Sequence, residues 1–131
     1  MYLTGNPAIT RTGSNFELNV GSNIKLSIYI DGVITFTNNF AINNNSQIPA
    51  NLYIYSTYTS AAGVNGVTLE NGNTCFTALY APRTGIRIGN TGEFFGSVVG
   101  GTITVETGNN RKVHFDQVLA KPGDLVKWSE L

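Results

Sequence analysis

Along much of this chain every second residue is apolar. Ile24, Leu26, Ile28 and Ile30 alternate with Lys25, Ser27 and Tyr29, and Leu52 and Ile54 alternate with Tyr53 and Tyr55. A period of two is the pattern of a strand with one face buried. Between the apolar runs stand turn formers: Asp31-Gly32 before Val33 to Thr37, Asn38-Asn39 before Phe40 and Ile42, and the polar stretch Asn43 to Ser46. If Leu26, Ile28, Leu52 and Ile54 point inward, Tyr29, Tyr53 and Tyr55 point outward, and Tyr58 extends the group.

From Gly66 the pattern repeats without a gap. Gly66-Val67-Thr68-Leu69-Glu70-Asn71 is answered by Gly85-Ile86-Arg87-Ile88-Gly89-Asn90, an offset of 19 (85 − 66). In the same register Cys75 to Ala81 falls on Phe94 to Gly100. A third copy opens at Thr102-Ile103-Thr104-Val105, 17 beyond Ile86 (103 − 86), and Val113-His114 falls 19 beyond Phe94-Phe95. Units this short cannot bury their own apolar face, and stacking on neighbours is what gives them a core. The fold expected is all-β: a parallel β-helix, or solenoid, of about five or six short coils. A single domain over 1–131 is expected, with an irregular N-terminal segment at 1–14, coils over 15–115, and a capping helix and tail at 116–131. Asp116 as N-cap and Lys121 near the far end suit a short helix that lays Val118 and Leu119 over the last coil. Leu69, Ile88 and Val105 are expected to form one internal ladder, and Gly66, Gly85, Gly96 and Gly100 to turn the backbone at positive φ.

Length and a 41% hydrophobic content suffice for one core, whereas charged residues make up only 12%, about half the usual share. Polarity comes instead from Asn, Thr, Ser and Gly. Formal net charge is zero and no basic run occurs, which argues against nucleic acid as partner. No stretch approaches the roughly 18 apolar residues of a membrane span, and the N-terminus is no secretory signal. That leaves a cytoplasmic protein or a piece of a longer exported chain.

A catalytic constellation is hard to assemble. His114 is the only histidine, and it is expected on a terminal strand, facing outward or bonded to the C-terminal cap, rather than in a triad or metal set. Cys75, the only cysteine, is replaced by Phe94 in the next repeat, so a small buried hydrophobe is expected rather than a reactive thiol or a ligand. No metal or cofactor is implied. Asp31, Glu70, Glu93, Glu106 and Asp116 are scattered. With strands stacked about 4.8 Å apart, Glu70 and Glu106 would lie roughly 10 Å apart, too wide for a retaining carboxylate pair and marginal for an inverting one. The glycine clusters around Gly85 and Gly96 to Gly101 lack the setting of a phosphate loop. Outward Thr68 and Thr104 are separated in register by Arg87, which breaks any flat threonine array. The candidate binding residues are therefore Tyr29, Tyr53, Tyr55 and Tyr58, suited to glycans or a protein partner; the competing reading packs them under the Ser56 to Asn65 loop or the N-terminal segment.

The order of several strings also carries a resemblance. Tyr29-Ile30-Asp31-Gly32, Ala41-Ile42-Asn43-Asn44-Asn45, Asn51 to Tyr55, Val67 to Asn73, Thr77 to Pro82, Phe95 to Gly100 and Val113 to Asp116 occur in that succession. Over about Leu26 to Leu131 the chain resembles the C-terminal β-solenoid domain of bacterial pilus-assembly and type IV pilin-like surface proteins. Even Trp128-Ser129-Glu130-Leu131 resembles the way such chains finish. The resemblance implies a right-handed parallel β-helix, an extracellular or envelope location, and a structural or adhesive role among other surface or pilus proteins, with no catalytic motif to transfer. The sequence lacks the pilin-like N-terminal helix of such proteins, which fits a fragment, and Gly108 to Lys112 is longer and more basic than the expected turn. A more distant likeness is to the bactofilins, cytoskeletal polymers on a similar β-helix. The expectation is thus a non-catalytic structural or adhesive module, against two alternatives: a self-assembling bactofilin-like scaffold and a carbohydrate-active β-helix enzyme.

Overall fold

The computed structural model describes residues 2–4, 9–11, 17–37, 41–70, 74–89, 93–106 and 112–115. Eleven strands occupy most of them: β1 (Tyr2–Thr4), β2 (Ile9–Arg11), β3 (Glu17–Val20), β4 (Leu26–Asp31), β5 (Ile34–Thr37), β6 (Ala41–Asn44), β7 (Leu52–Ser56), β8 (Asn65–Glu70), β9 (Cys75–Ile88), β10 (Glu93–Val105) and β11 (Lys112–Phe115). Among the described residues the only helical turn is a 3-10 turn at Pro49–Asn51. The capping helix expected from Asp116 to Lys121 lies outside the described residues.

All strand pairs are parallel, as the sequence repeat requires. One arm of the large sheet runs β1-β4-β7-β9-β10-β11 and a second runs β2-β5-β8-β9-β10. The arms share β9 and β10, each of which pairs by its first half in one arm and by its second half in the other. A separate pair, β3-β6, is also parallel. The offset of 19 appears directly as strand register, since Phe94 pairs with Cys75 and with Val113, and Phe95 with Phe76 and with His114. The offset drops to 17 where Pro82 to Thr84 of β9 face only Gly101 of β10.

The core is built of columns of like residues, one from each strand. Ile34, Val67 and Ile86 are fully buried register partners, and so, one step along, are Phe36, Leu69 and Ile88. Ile28, Ile54 and Leu79 form the matching column of the first arm. Burying a single Ile, Leu or Val contributes about 1.5–3 kcal/mol, so each column is a large share of the driving force. Polar groups inside are satisfied: Thr77 Oγ1 donates to the Leu52 carbonyl at 3.0 Å, and Asn44 Nδ2 donates to the Ile48 and Phe76 carbonyls while its Oδ1 accepts from Ser46. Gly66 N–H donates to Thr84 Oγ1, which in turn donates to Ser60 Oγ, so loop 57–64 is tied down onto β9.

Three expectations are corrected. The first fourteen residues are not irregular throughout, because Tyr2–Thr4 and Ile9–Arg11 each add a strand to an arm, pairing with β4 and β5. Three residues are too few for alternation to show. Val105 occupies the register of Ile88 and Leu69 yet is 43% exposed, against 2% for each of them, because it lies on the last described strand of that column. Of the four glycines assigned positive φ only Gly96 has it, at 146°. The others are there for room: a Cβ on Gly66 would lie 2.2 Å from Thr84 Oγ1, one on Gly85 2.7 Å from Asn65 Oδ1, and one on Gly100 2.8 Å from Ile86 Cδ1.

Candidate functional site

Parallel strands in register place identical positions beside each other, so an outward aromatic on one strand meets its counterpart on the next. On the first arm this makes two aromatic ladders. Tyr29, Tyr55 and Tyr80 are successive register partners. The Tyr29 and Tyr55 rings stack with centroids 4.8 Å apart and planes within 9°, Tyr53 lies 5.8 Å from Tyr55 and nearly parallel, and Tyr80 is turned 61° from Tyr55. Four positions earlier on the strands, Phe76 stacks on Phe95 at 4.8 Å and Phe95 on His114 at 4.3 Å. Between the ladders runs a column of small residues, Ala78 paired with Ser97 and headed by Tyr53.

Three of the four tyrosines singled out in the sequence thus meet on one face. Tyr29 is 44% exposed, and Tyr53 and Tyr55 are half-buried. Tyr58 stands elsewhere, its ring against Gly66, 2.6 Å from where a Cβ would sit. Tyr80, Phe76 and Phe95 complete the face although the sequence reasoning passed over them, while the signal was there in their matching strand positions. His114 does face outward, on the last described strand. Its partner is the Phe95 ring, and its Nε2 lies 3.2 Å from Glu93 Oε2 but off the line of a hydrogen bond.

Stacking decides what these rings can offer. Phe95 has a ring on each side, and Tyr29 and Tyr55 each give one face to the other, so the ladders meet solvent mostly through ring edges and phenol tips. Burial, then the proximity of Tyr29 and Tyr53, push the Tyr55 phenol above its ordinary value, which keeps it a neutral hydroxyl able to donate and to accept.

On the second arm, Arg87 stands in register between Thr68 and Thr104. Its guanidinium bridges two carboxylates: Nη1 pairs with Glu70 Oε1, and Nη2 and Nε both reach Glu106 Oε1, the latter at 2.9 Å. Hydrogen bonding to Glu106, with the charges of both carboxylates, raises the Arg87 pKa further. Gly89 leaves room for this clamp, since a Cβ there would lie 2.6 Å from Glu106 Oε2. The two acids nearest to forming a pair are therefore held by one cation. Cys75 is buried as expected for a small hydrophobe, and burial pushes its thiol up to about 12. Among the described residues no group of three His, Cys, Asp or Glu is placed to hold a metal ion, and no helix is long and apolar enough to cross a membrane.

The chain matches neither a curated protein nor a solved structure. A family model described as a domain of unknown function, DUF7305, matches residues 5–121, which takes in every described strand but β1, and the chain belongs to that family.

Proposed function

We propose that this chain is a non-catalytic structural or adhesive module, a right-handed parallel β-helix carried by a longer exported protein of the cell surface or a pilus-like assembly. One observation carries the reading: register partners repeat the same residue type strand after strand, inside as aliphatic columns and outside as the Tyr29-Tyr55 and Phe76-Phe95 stacks. Repetition of this kind serves an extended surface, whereas catalysis needs unlike groups brought to one point. The Arg87 clamp supports the same reading, because it commits both Glu70 and Glu106 to one guanidinium. The expected location is tested on intact cells of the source organism with an antibody raised against residues 1–131. Labelling without permeabilisation is the expected result, and labelling only after permeabilisation overturns the reading.

A second reading, end-to-end assembly of copies, draws on a different observation. Ile34, Val67 and Ile86 are fully buried, but Ile103, next in the same column, is 48% exposed and Val105 beside it 43%. An apolar end on a stack of parallel strands offers an edge for another copy. Sedimentation at rising concentration, with and without Ile103→Lys, tests it: lengthening oligomers lost in the variant support it, and a monomer throughout removes it.

A further inference from the structure

We infer that Tyr29 and Tyr55 form a covalent modification site, at which one-electron oxidation joins the two rings ortho to their hydroxyls as dityrosine and staples β4 to β7. The site goes beyond the module reading and stands or falls without it. The two side chains are register partners on neighbouring parallel strands, with ring centroids 4.8 Å apart and planes within 9°. Rings so placed are related by little more than a translation, so each carbon beside one hydroxyl has its counterpart on the other ring at about that spacing. Tyr29 is 44% exposed and Tyr55 half-buried, and torsion about their side-chain bonds closes the remaining gap. Coupling takes place beside the phenol tip, and the ladder turns those ring edges outward, within reach of a small oxidant.

Other rings of the face are less well placed for this chemistry. Tyr53 lies 5.8 Å from Tyr55 on the same strand, and Tyr80 lies 6.4 Å from it and is turned 61°. The stack of Phe76, Phe95 and His114 is as close but has no phenol to oxidise. Cys75, the only cysteine, is buried and held as the thiol, so it neither intercepts a surface oxidant nor supplies a disulfide within the chain. In the coupling, each phenol gives up one electron and its hydroxyl proton and becomes a phenoxyl radical with spin density on the ortho carbons. The two radicals combine in a carbon-carbon bond, and the hydrogen on each joined carbon then moves as a proton to the phenol oxygen, which restores both rings. Two hydrogen atoms leave the protein in all. The co-reactant is hydrogen peroxide acting through a peroxidase, and one peroxide takes up both and is reduced to two waters. The resulting staple spans an offset of 26 (55 − 29) between paired strands, and it removes chain entropy from the unfolded state as a disulfide does.

The test is treatment of the dilute 131-residue protein with a peroxidase and hydrogen peroxide. Dityrosine fluorescence is expected, in a product that stays monomeric in denaturing electrophoresis, is lighter than the parent by two hydrogen atoms and melts at a higher temperature. Proteolysis before Asp31, which lies between the two tyrosines, should leave the fragment ending at Ile30 joined to the one beginning at Asp31. Tyr29→Phe and Tyr55→Phe keep the rings and remove one phenol, and each should lower the yield of that joined product about tenfold or more, whereas Tyr58→Phe should leave it unchanged. In urea, where the strand register is lost, the same product should become a minor one among couplings at other tyrosines. No coupling, crosslinks formed only between chains, or a bond that maps to another pair overturns the inference. So does a Tyr29→Phe protein that couples like the parent, an equal yield in urea, or a coupled monomer that melts no higher than the parent.

Discussion

Ile88 and Val105 share a column and a neighbour relation, and differ in whether another strand follows. Replacing Ile88 by Ala removes three carbons from a side chain that is 2% exposed. At about 0.8 kcal/mol per buried methylene the transfer loss is about 2.4 kcal/mol, and the vacancy left between Leu69 and Val105 adds to it, because parallel strands paired on both sides relax little. A total of about 3–4 kcal/mol is expected, inside the range of about 2–5 for such truncations. Val105→Ala removes two carbons from a side chain that is 43% exposed and leaves no closed vacancy, so less than about 1 kcal/mol is expected. Urea unfolding followed by circular dichroism separates them. With a slope of about 1–3 kcal/mol/M, Ile88→Ala should lower the midpoint by one molar or more and Val105→Ala by a few tenths, both at unchanged slope. Equal losses, or a larger loss for Val105, would refute the assignment of Val105 to the end of its column.

Three further outcomes follow from single residues. The Cys75 thiol is pushed up to about 12 from 9.0, so between those pH values the unfolded thiol ionises while the buried one does not. Its contribution to stability is intact below pH 9 and falls by about 1.4 kcal/mol per pH unit above it, and Cys75→Ala should show a shallower alkaline loss than the parent; parallel profiles would remove the claim. Gly96→Ala forces a Cβ at φ 146° to within 1.8 Å of the Thr77 carbonyl and should cost about 3–5 kcal/mol, whereas Gly63→Ala, at φ 77° with open space around it, should cost about 1–2; thermal melts that rank them the other way would be decisive against this account. Arg87→Met leaves Glu70 and Glu106 facing each other, so its melting temperature should fall at pH 7 and recover toward the parent's as pH drops below the carboxylate range, and a deficit independent of pH would assign Arg87 to packing alone.

How much of this could be read from the chain depends on how far each feature is local. Alternation at Leu26 to Ile30 and Leu52 to Tyr55 fixes which side chains point in, and β4 and β7 obey it, with Ile28, Ile30, Leu52 and Ile54 buried. Exact repetition fixes neighbours, which is why Phe94 falls beside Cys75 and His114 beside Phe95. Neither signal reports where a column ends. Ile103 and Val105 have the same parity as Ile86 and Ile88, and their exposure follows from what lies beyond them, a property of the whole stack. Glycine is ambiguous for a related reason. Conformation and close approach both select it, and only coordinates separate Gly96, which needs its φ, from Gly66, which needs the space Thr84 and Tyr58 occupy.

The candidate site was legible in part for the same reason, and its missing members show what a repeat search overlooks. Tyr80 stands two residues beyond Ala78 just as Tyr55 stands two beyond Tyr53, and the strands pair at those positions. Yet the offset here is 25 (80 − 55), not 19, since loop 57–64 intervenes between β7 and β8, and a fixed period passes it by. Pairing Leu52-Tyr53-Ile54-Tyr55 with Thr77-Ala78-Leu79-Tyr80 by their inward residues would have found it. Ring orientation is a further step removed. Outward parity identifies Tyr29, Tyr53 and Tyr55 as surface residues, but whether they offer faces or edges depends on rotamers set by strands 4.8 Å apart, a spacing close to the thickness at which aromatic rings stack on one another. A ladder in register therefore consumes the ring faces that an isolated tyrosine would offer, and only Tyr80, turned 61° from Tyr55, departs from the stack.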